Sequence, residues 1–190
     1  ILSATQQINS ERLKDYYILG ELSLYGYIRA VPGVLPISLA VSKTNIKNII
    51  VPYHNAKEAA MVTETCVWPV KTLKETVELL NNTDMLKPFV LNLEELFEQN
   101  AHYSVDFAEV KCQHTAKRAI EVAVSGGHNL LMIGPPGSGK TMLAKRIPTI
   151  LPDLTIKEAL EVTEIHSVLG ALQNKEGIIA TRPFRNPHHT

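Results

Sequence analysis

Cysteine, tryptophan and long apolar runs are all scarce in this 190-residue sequence. Its two cysteines, Cys66 and Cys112, are too few and too far apart for a disulfide framework, which favours a reducing compartment. No apolar run approaches the ~18 residues that a transmembrane helix needs, and no signal-peptide pattern is present. The sequence therefore favours a cytoplasmic protein that has no membrane partner.

An excess of charge of either sign is also absent. Lysine plus arginine and aspartate plus glutamate each number 19, so the formal net charge is zero. A protein that coats nucleic acid or an anionic membrane usually carries a basic excess. The overall composition gives no sign of such a partner, and only a local basic patch is left open. The length allows one or two domains.

The clearest chemical pattern in the chain lies at residues 134–141. This segment reads GPPGSGKT and fits the phosphate-binding loop, or Walker A, pattern G-x-x-x-x-G-K-[ST] at every fixed position. A short apolar run at residues 129–133 precedes it and predicts a buried parallel strand. A helix-forming run at residues 141–147 follows it and ends at Pro148. The predicted ATP-binding residues are Gly134, Pro135, Pro136, Gly137, Ser138, Gly139, Lys140 and Thr141.

The residue types of this loop suit a triphosphate. Glycines let successive backbone N–H groups point inward, and the positive end of the following helix faces the anion. Lys140 can reach the β- and γ-phosphates, and the Thr141 hydroxyl can ligate Mg²⁺. The alternative is a glycine-rich turn without a ligand. A strand, the loop, a Lys-Thr pair and a helix all agree with the first interpretation, which we therefore prefer.

A carboxylate that could hold Mg²⁺ is missing after the loop. P-loop ATPases need such a Walker B residue at the end of an apolar strand, and residues 142–190 contain none. The chain also begins at Ile1 and stops at Thr190 without a polar tail. We therefore expect a fragment of a longer protein, which binds nucleotide at most and contains no catalytic residue of its own.

The first half of the chain alternates between strand and helix patterns. Turn residues Tyr25-Gly26 predict a hairpin between two strands, and the sequence Thr72-Leu73-Lys74-Glu75 predicts a helix-capping box. Asn55 is a predicted helix cap, and Leu73, Val77 and Leu80 are predicted to share one helix face. The predicted strands are 16–24, 27–31, 48–51 and 65–68, and the predicted helices are 33–42, 56–61 and one that begins at 72.

The second half predicts another α/β unit after a connector. The connector, residues 83–104, has few strong signals apart from a helical turn at 93–97. A helix at 108–125 with Ala116, Ile120 and Ala123 on one face then leads to the strand and the phosphate loop. A second capping box at Thr155–Glu158 predicts a helix that reaches His166, and residues 178–180 predict a strand. The fold class is therefore α/β with layered sheets and helices.

Several other side chains are candidates for a function. Arg182 and Arg185, beside His188 and His189, suit either a contact to phosphate, DNA or a neighbouring subunit, or a purely structural loop. Zinc is disfavoured because neither cysteine lies near a histidine at ligand spacing. The remaining candidates are interpreted as structural: His128 as a loop residue, Trp68 as core, and Lys145-Arg146 as a solvated helix face.

Residues 105–190 resemble the ComM/YifB family of magnesium-chelatase-like AAA+ proteins. The resemblance is carried by residues 106–111, 126–131 and 158–163 and by the terminal stretch 182–190, together with the phosphate loop. One position departs from the family pattern. Where the family has Val-x-Gly-Gln, this chain has Val110-Lys111-Cys112-Gln113, and cysteine adopts a positive φ less readily than glycine. If the family backbone is left-handed there, adenine contacts are in question.

Residues 20–26, 32–40 and 50–52 carry a second resemblance, which extends over residues 11–80, to the Lon-protease-like domain of the same family. Active Lon-type proteases carry a lysine near a helix start that activates a serine. This chain has Leu35, Pro36 and Ile37 there, with the nearest lysine, Lys43, well down the helix, so a Ser/Lys dyad is not expected. The predicted division is a degenerate Lon-like domain at 1–82, a linker at 83–104 and the N-terminal part of an AAA+ module at 105–190.

The resemblance implies an ATP- and Mg²⁺-dependent motor that assembles into a hexameric ring. Family members are linked to DNA taken up during competence, as helicases or branch-migration factors, so DNA is the implied partner of the longer protein. Two alternatives stay open: a chelatase-like ATPase that acts on a protein partner, and a non-enzymatic oligomerisation scaffold. Stimulation of ATP turnover by a protein and not by DNA would favour the chelatase-like ATPase. A chain that binds no nucleotide would favour the scaffold.

Overall fold

The computed structural model describes residues 1–82, 87–172 and 177–186, and His188 and His189 lie outside these ranges. Helices and strands alternate along the first 81 residues and helices follow, which confirms the α/β class. The strands are β1 (Tyr16–Ile18), β2 (Glu21–Leu22), β3 (Ile28–Arg29), β4 (Asn48–Pro52) and β5 (Cys66–Val70). The helices are α1 (Ser10–Leu13), α2 (Val34–Ser42), α3 (Ala56–Ala59), α4 (Leu73–Asn81), α5 (Leu93–Asn100), α6 (His114–Ser125), α7 (Lys140–Arg146) and α8 (Ile156–Val168).

A three-stranded parallel sheet forms the centre of the first half, in the order β1-β4-β5. Strand β4 is buried from Ile49 to Pro52, as expected for the middle strand of a covered parallel sheet. The predicted hairpin is present but shorter, because only β2 and β3 pair, in the register Glu21 with Arg29. The residues before it, β1, instead join the parallel sheet beside β4.

Two predicted details of the first-half helices are confirmed only in part. Asn55 stands at the N-cap position of α3, but its side chain makes no capping hydrogen bond. Its side chain instead bonds both backbone groups of Val31 at 3.0 Å. The buried residues of α4 are Thr76, Leu79 and Leu80, so Leu80 of the predicted face is buried, whereas Leu73 and Val77 are half-buried. The predicted Thr72 cap is present, since its side chain accepts from the Glu75 N–H at 3.2 Å.

The second half differs from prediction at three places. The helix predicted from 108 begins only at His114, after a short 3₁₀ turn at Phe107–Glu109. Residues 129–133 and 178–180 form no strand. A parallel strand needs hydrogen-bonded neighbours. The described residues place no such strand beside 129–133, where Leu131 and Ile133 are 80% and 88% exposed.

Helix α8 packs against the first half of the molecule. The predicted capping box at its start is present, with Thr155 and Glu158 each bonding the other's backbone N–H. At its other end, the Ser167 hydroxyl donates to the Glu58 carboxylate of α3, and the Ser167 carbonyl accepts from the Gly33 N–H at 3.1 Å. Glu58 also accepts from the Leu35 N–H at 3.0 Å, so one carboxylate joins α2, α3 and α8.

The hydrophobic core reflects this packing. One cluster combines Leu35, Met61 and Val62 with Leu96 from α5 and a set of residues from the last third of the chain. That set consists of Leu154, Ala159, Ile178 and Ala180. A separate cluster contains Phe107 and Val110 from the segment before α6, Ile120 from α6 and Leu143 from α7. Within the described residues, no helix has the length and apolar character needed to cross a bilayer.

Candidate functional site

The loop at residues 134–141 lies on the surface at the start of α7. Gly137 and Gly139 have positive φ values of 78° and 84°, a conformation that side-chain-bearing residues adopt at a cost. Gly139 is the N-cap of α7, and its carbonyl accepts from the Leu143 N–H at 2.9 Å. The glycines of the motif therefore stand where the backbone turns sharply into a helix, as the sequence pattern predicts.

Lys140 makes hydrogen bonds to other residues of the same loop. Its ammonium donates to the Gly134 and Pro135 carbonyls, both at 2.8 Å, and to the Ser138 hydroxyl at 3.2 Å. These three oxygens use all three donors of a lysine ammonium. The positive charge of Lys140 is thereby held at the loop, where an anion bound to the backbone N–H groups would meet it.

The residues present fit a nucleotide phosphate and a magnesium ion. The loop is lined by glycines and by exposed Thr141, whose hydroxyl is a hard oxygen ligand of the kind Mg²⁺ accepts. Among the residues described, no group of three or more His, Cys, Asp or Glu side chains is placed to hold a metal by itself. At this loop, the protein ligand for Mg²⁺ would be Thr141, with phosphate and water completing the shell.

The turn before α6 is a second element of the site, and the sequence analysis singled out its Cys112 but missed the contact that Gln113 makes. Cys112 and Gln113 have φ values of 58° and 54°, so two consecutive residues other than glycine are left-handed. The left-handed backbone suspected at Cys112 is therefore present in this chain. The Gln113 side-chain amide donates to the Ser138 carbonyl of the loop at 3.3 Å. Nothing in the sequence pattern announces this contact, since 25 residues separate the two.

Arg146 connects α7 to the segment before α6. The prediction that it belongs to a solvated helix face is wrong. Its side chain is only 18% exposed and pairs with Glu109 at 2.7 Å. It also donates to the Asp106 carbonyl at 3.1 Å. The hydrogen bond from Arg146 lowers the pKa of the Glu109 carboxyl. Lys145, the other member of the predicted face, is exposed.

The terminal arginines lie elsewhere. Arg182 is tied to the start of α8, where it donates to the Pro152 carbonyl at 2.7 Å and lies 3.8 Å from Glu158. Hydrogen bonds from Thr155 are the main cause of the lowered pKa of Glu158. Arg185 is exposed. Arg182 thus has structural partners at the α8 cap.

The remaining candidates occupy structural positions. His128 follows the α6 C-cap and donates its backbone N–H to the Ala123 carbonyl at 2.8 Å. Trp68 is half-buried at the edge of the sheet core, and its indole N–H donates to Asn48 Oδ1 at 3.2 Å. Lys43 is the exposed C-cap residue of α2.

Comparison with known protein families gives two matches that cover most of the chain. Residues 106–190 match the family described as magnesium chelatase, subunit ChlI. Residues 1–55 match a second family, described as subunit ChlI of Mg-chelatase. The two matches fall on the halves of the chain in which the sequence shows its two resemblances.

Curated relatives match over the entire chain. An uncharacterised protein of Mycobacterium tuberculosis is 42% identical over 190 residues. The competence protein ComM of Haemophilus influenzae is 37% identical over 194 residues, and YifB of Escherichia coli is 36% identical over 191. The alignments cover 100% of this chain but only 36–37% of each relative. The chain thus spans little more than a third of the length of these proteins.

Proposed function

Because the chain belongs to the ComM/YifB family of magnesium-chelatase-like proteins, which are of the AAA+ ATPase type, we propose that residues 134–141 bind the phosphates of ATP together with Mg²⁺. The observation that carries the proposal is the position of Lys140, whose ammonium is bonded to two loop carbonyls and to Ser138. An ammonium has donors only, so a lysine held there can exchange these oxygens for the oxygens of a bound phosphate.

Each residue then has a defined task. The backbone N–H groups from Gly137 to Lys140 would receive the β-phosphate, and Lys140 would neutralise charge on the β- and γ-phosphates. Thr141, on the first turn of α7, would place its hydroxyl on Mg²⁺. Magnesium supplies charge neutralisation at the phosphate oxygens. The chain's own contribution is to bind and orient the triphosphate.

At the level of the longer protein, we extend the proposal to an ATP-driven motor that acts on DNA and assembles into a hexameric ring. The support is the match to a protein named for competence, together with the AAA+ type of the family. The division into a Lon-like unit at 1–82, a linker at 83–104 and an AAA+ unit from 105 is part of the same proposal. In it, the first unit serves as a scaffold without peptidase activity.

Nucleotide binding by this chain is tested with two lysine variants from one helix. Lys140→Ala should weaken binding of a fluorescent ATP analogue at least about tenfold, because a charge-assisted contact to phosphate is lost. Lys145→Ala is the matched control, since Lys145 is exposed on the same helix, and it should bind as the wild type does. Equal affinity of all three proteins, or no binding by any, would refute the site.

The DNA motor is tested in a protein of the relatives' full length that contains this chain. ATP hydrolysis should rise on addition of single-stranded or forked DNA, and Lys140→Ala should abolish that rise. Hydrolysis that is indifferent to DNA would refute the DNA function and favour a protein partner. No hydrolysis, together with no nucleotide binding by the wild type, would favour a scaffold.

A further inference from the structure

The phosphate loop has few ties to the rest of the molecule. Within the loop, Lys140 bonds to Gly134, Pro135 and Ser138, and the Ser138 N–H donates to the Pro135 carbonyl at 3.3 Å. In the part of the chain that the structure describes, the one side chain outside 134–146 that hydrogen-bonds to the loop is Gln113. Its amide is therefore the loop's polar connection to the turn before α6.

This contact falls where the loop turns most sharply. Gln113 donates to the Ser138 carbonyl, which belongs to the peptide that enters Gly139. A Cβ placed on Gly139 would lie 3.1 Å from Gln113 Nε2, so the amide is packed against the backbone there. The Ser138–Gly139 peptide must direct its N–H towards a phosphate, and the hydrogen bond from Gln113 to its carbonyl fixes its orientation.

The turn that presents Gln113 is itself held in place. Its backbone is left-handed at both Cys112 and Gln113. The Gln113 carbonyl accepts from the Lys117 N–H at 2.9 Å, and the Lys117 ammonium donates back to the Val110 carbonyl at 3.2 Å. An unfavourable backbone persists only where its surroundings fix it. Here the fixed turn aims the Gln113 side chain at the loop.

We infer that Gln113 is a positioning residue for the phosphate loop, and the inference rests on the proposed nucleotide site. When Lys140 exchanges its loop carbonyls for phosphate oxygens, the loop loses the hydrogen bonds that closed it. The Gln113 amide then keeps the Ser138–Gly139 peptide oriented, so that its N–H still points at the anion. The residue acts on the phosphates through the loop and touches neither phosphate nor base.

The test compares two Gln113 variants that remove the contact in different ways. Gln113→Met keeps the length of the side chain but has no donor. Gln113→Asn keeps the amide and tolerates a positive φ, but falls one methylene short of Ser138. Losing one neutral hydrogen bond predicts that both weaken binding of a fluorescent ATP analogue about two- to tenfold. The control is Gln99→Ala on α5, an exposed glutamine that bonds Glu95, which should leave binding unchanged.

A competitor without a base separates positioning from adenine recognition. Inorganic tripolyphosphate should displace the fluorescent nucleotide from the wild type, and the Gln113 variants should weaken tripolyphosphate as much as they weaken ATP. The melting temperature without ligand should match that of the wild type for Gln113→Asn, which excludes a loss of fold as the cause.

Each contrary outcome has a different meaning. Weaker ATP binding with unchanged tripolyphosphate binding would overturn positioning, because Gln113 would then serve the base. Unchanged binding of both ligands in both variants would overturn the inference while the nucleotide site stood. A wild type that bound neither ligand, like Lys140→Ala, would overturn the inference together with the proposed function.

Discussion

At the residue scale, Cys112 carries a conformational cost that a glycine would avoid. A left-handed backbone costs a residue with a side chain about 1–2 kcal/mol of folding free energy, which glycine avoids. Glycine in turn costs about 0.5–1 kcal/mol because its unfolded state has more conformational freedom. Because Cys112 has a φ of 58° and an exposed side chain, we expect Cys112→Gly to stabilise the fold by about 0.5 kcal/mol. The measurement is thermal unfolding, where the midpoint should rise by about 1–2 °C.

The neighbouring Lys111 provides the control for this substitution. It is exposed like Cys112, but it is not among the described residues with positive φ. Lys111→Gly therefore adds the freedom of glycine to the unfolded chain without relieving any strain, and it should destabilise by about 0.5–1 kcal/mol. If both substitutions changed the midpoint in the same direction, the left-handed turn would not be the source of the cost.

At the element scale, α2 contains a buried hydroxyl that works against the helix. Ser38 is 0% exposed, and its hydroxyl has no hydrogen-bond partner among the described residues. We expect Ser38→Ala to stabilise the folded protein by about 1–2 kcal/mol, because it removes an unsatisfied buried hydroxyl and introduces the higher helix propensity of alanine. Urea unfolding should show a higher midpoint at an unchanged slope.

The matched control is Ser42→Ala at the end of the same helix. The Ser42 hydroxyl donates to the Leu39 carbonyl at 2.9 Å, so the substitution removes a satisfied hydrogen bond. It should leave stability unchanged or lower it by about 0.5–1 kcal/mol. If Ser42→Ala stabilised the protein as much as Ser38→Ala, the gain would come from the helix propensity of alanine alone and not from removal of the buried hydroxyl.

The elements that the sequence predicts correctly are those with local causes. The Thr155–Glu158 capping box and the Gly33 start of α2 depend on residues a few positions apart, and both are present. The errors concern partners distant in the chain. The run 129–133 has the composition of a strand but no strand beside it, and Arg146 leaves the solvent because Glu109 lies opposite. The Gln113 contact was missed for the same reason.

At the scale of the whole molecule, the packing does not follow chain order. Residues 106–150 pack around their own cluster, and Phe107 is tied to Thr149 by a hydrogen bond of 3.1 Å. Helix α8 and the segment after it pack instead on α2, α3 and α5. The loop therefore lies in a part of the chain that has its own buried cluster, whereas the later part of the proposed AAA+ unit packs on the first half of the molecule. Ligand binding and core packing should consequently stabilise different parts of the molecule.

Two probes can report these parts separately. Trp68, the only tryptophan, lies in the sheet half of the molecule, and Cys112 lies beside the loop and can carry a fluorescent label once Cys66 is replaced by alanine. Leu96 is buried in the cluster that joins α5 to α2 and α8. Leu96→Ala should cost about 2–5 kcal/mol, so the Trp68 transition should shift downward more than that of the Cys112 label.

Nucleotide should produce the opposite pattern. A ligand that binds only the folded state raises the melting temperature of the unit that holds it, so ATP with Mg²⁺ should shift the Cys112-label transition more than the Trp68 transition. Lys140→Ala should remove that shift and leave the effect of Leu96→Ala unaltered. If the two probes instead moved together under both perturbations, residues 106–150 and the larger core would unfold as one cooperative unit.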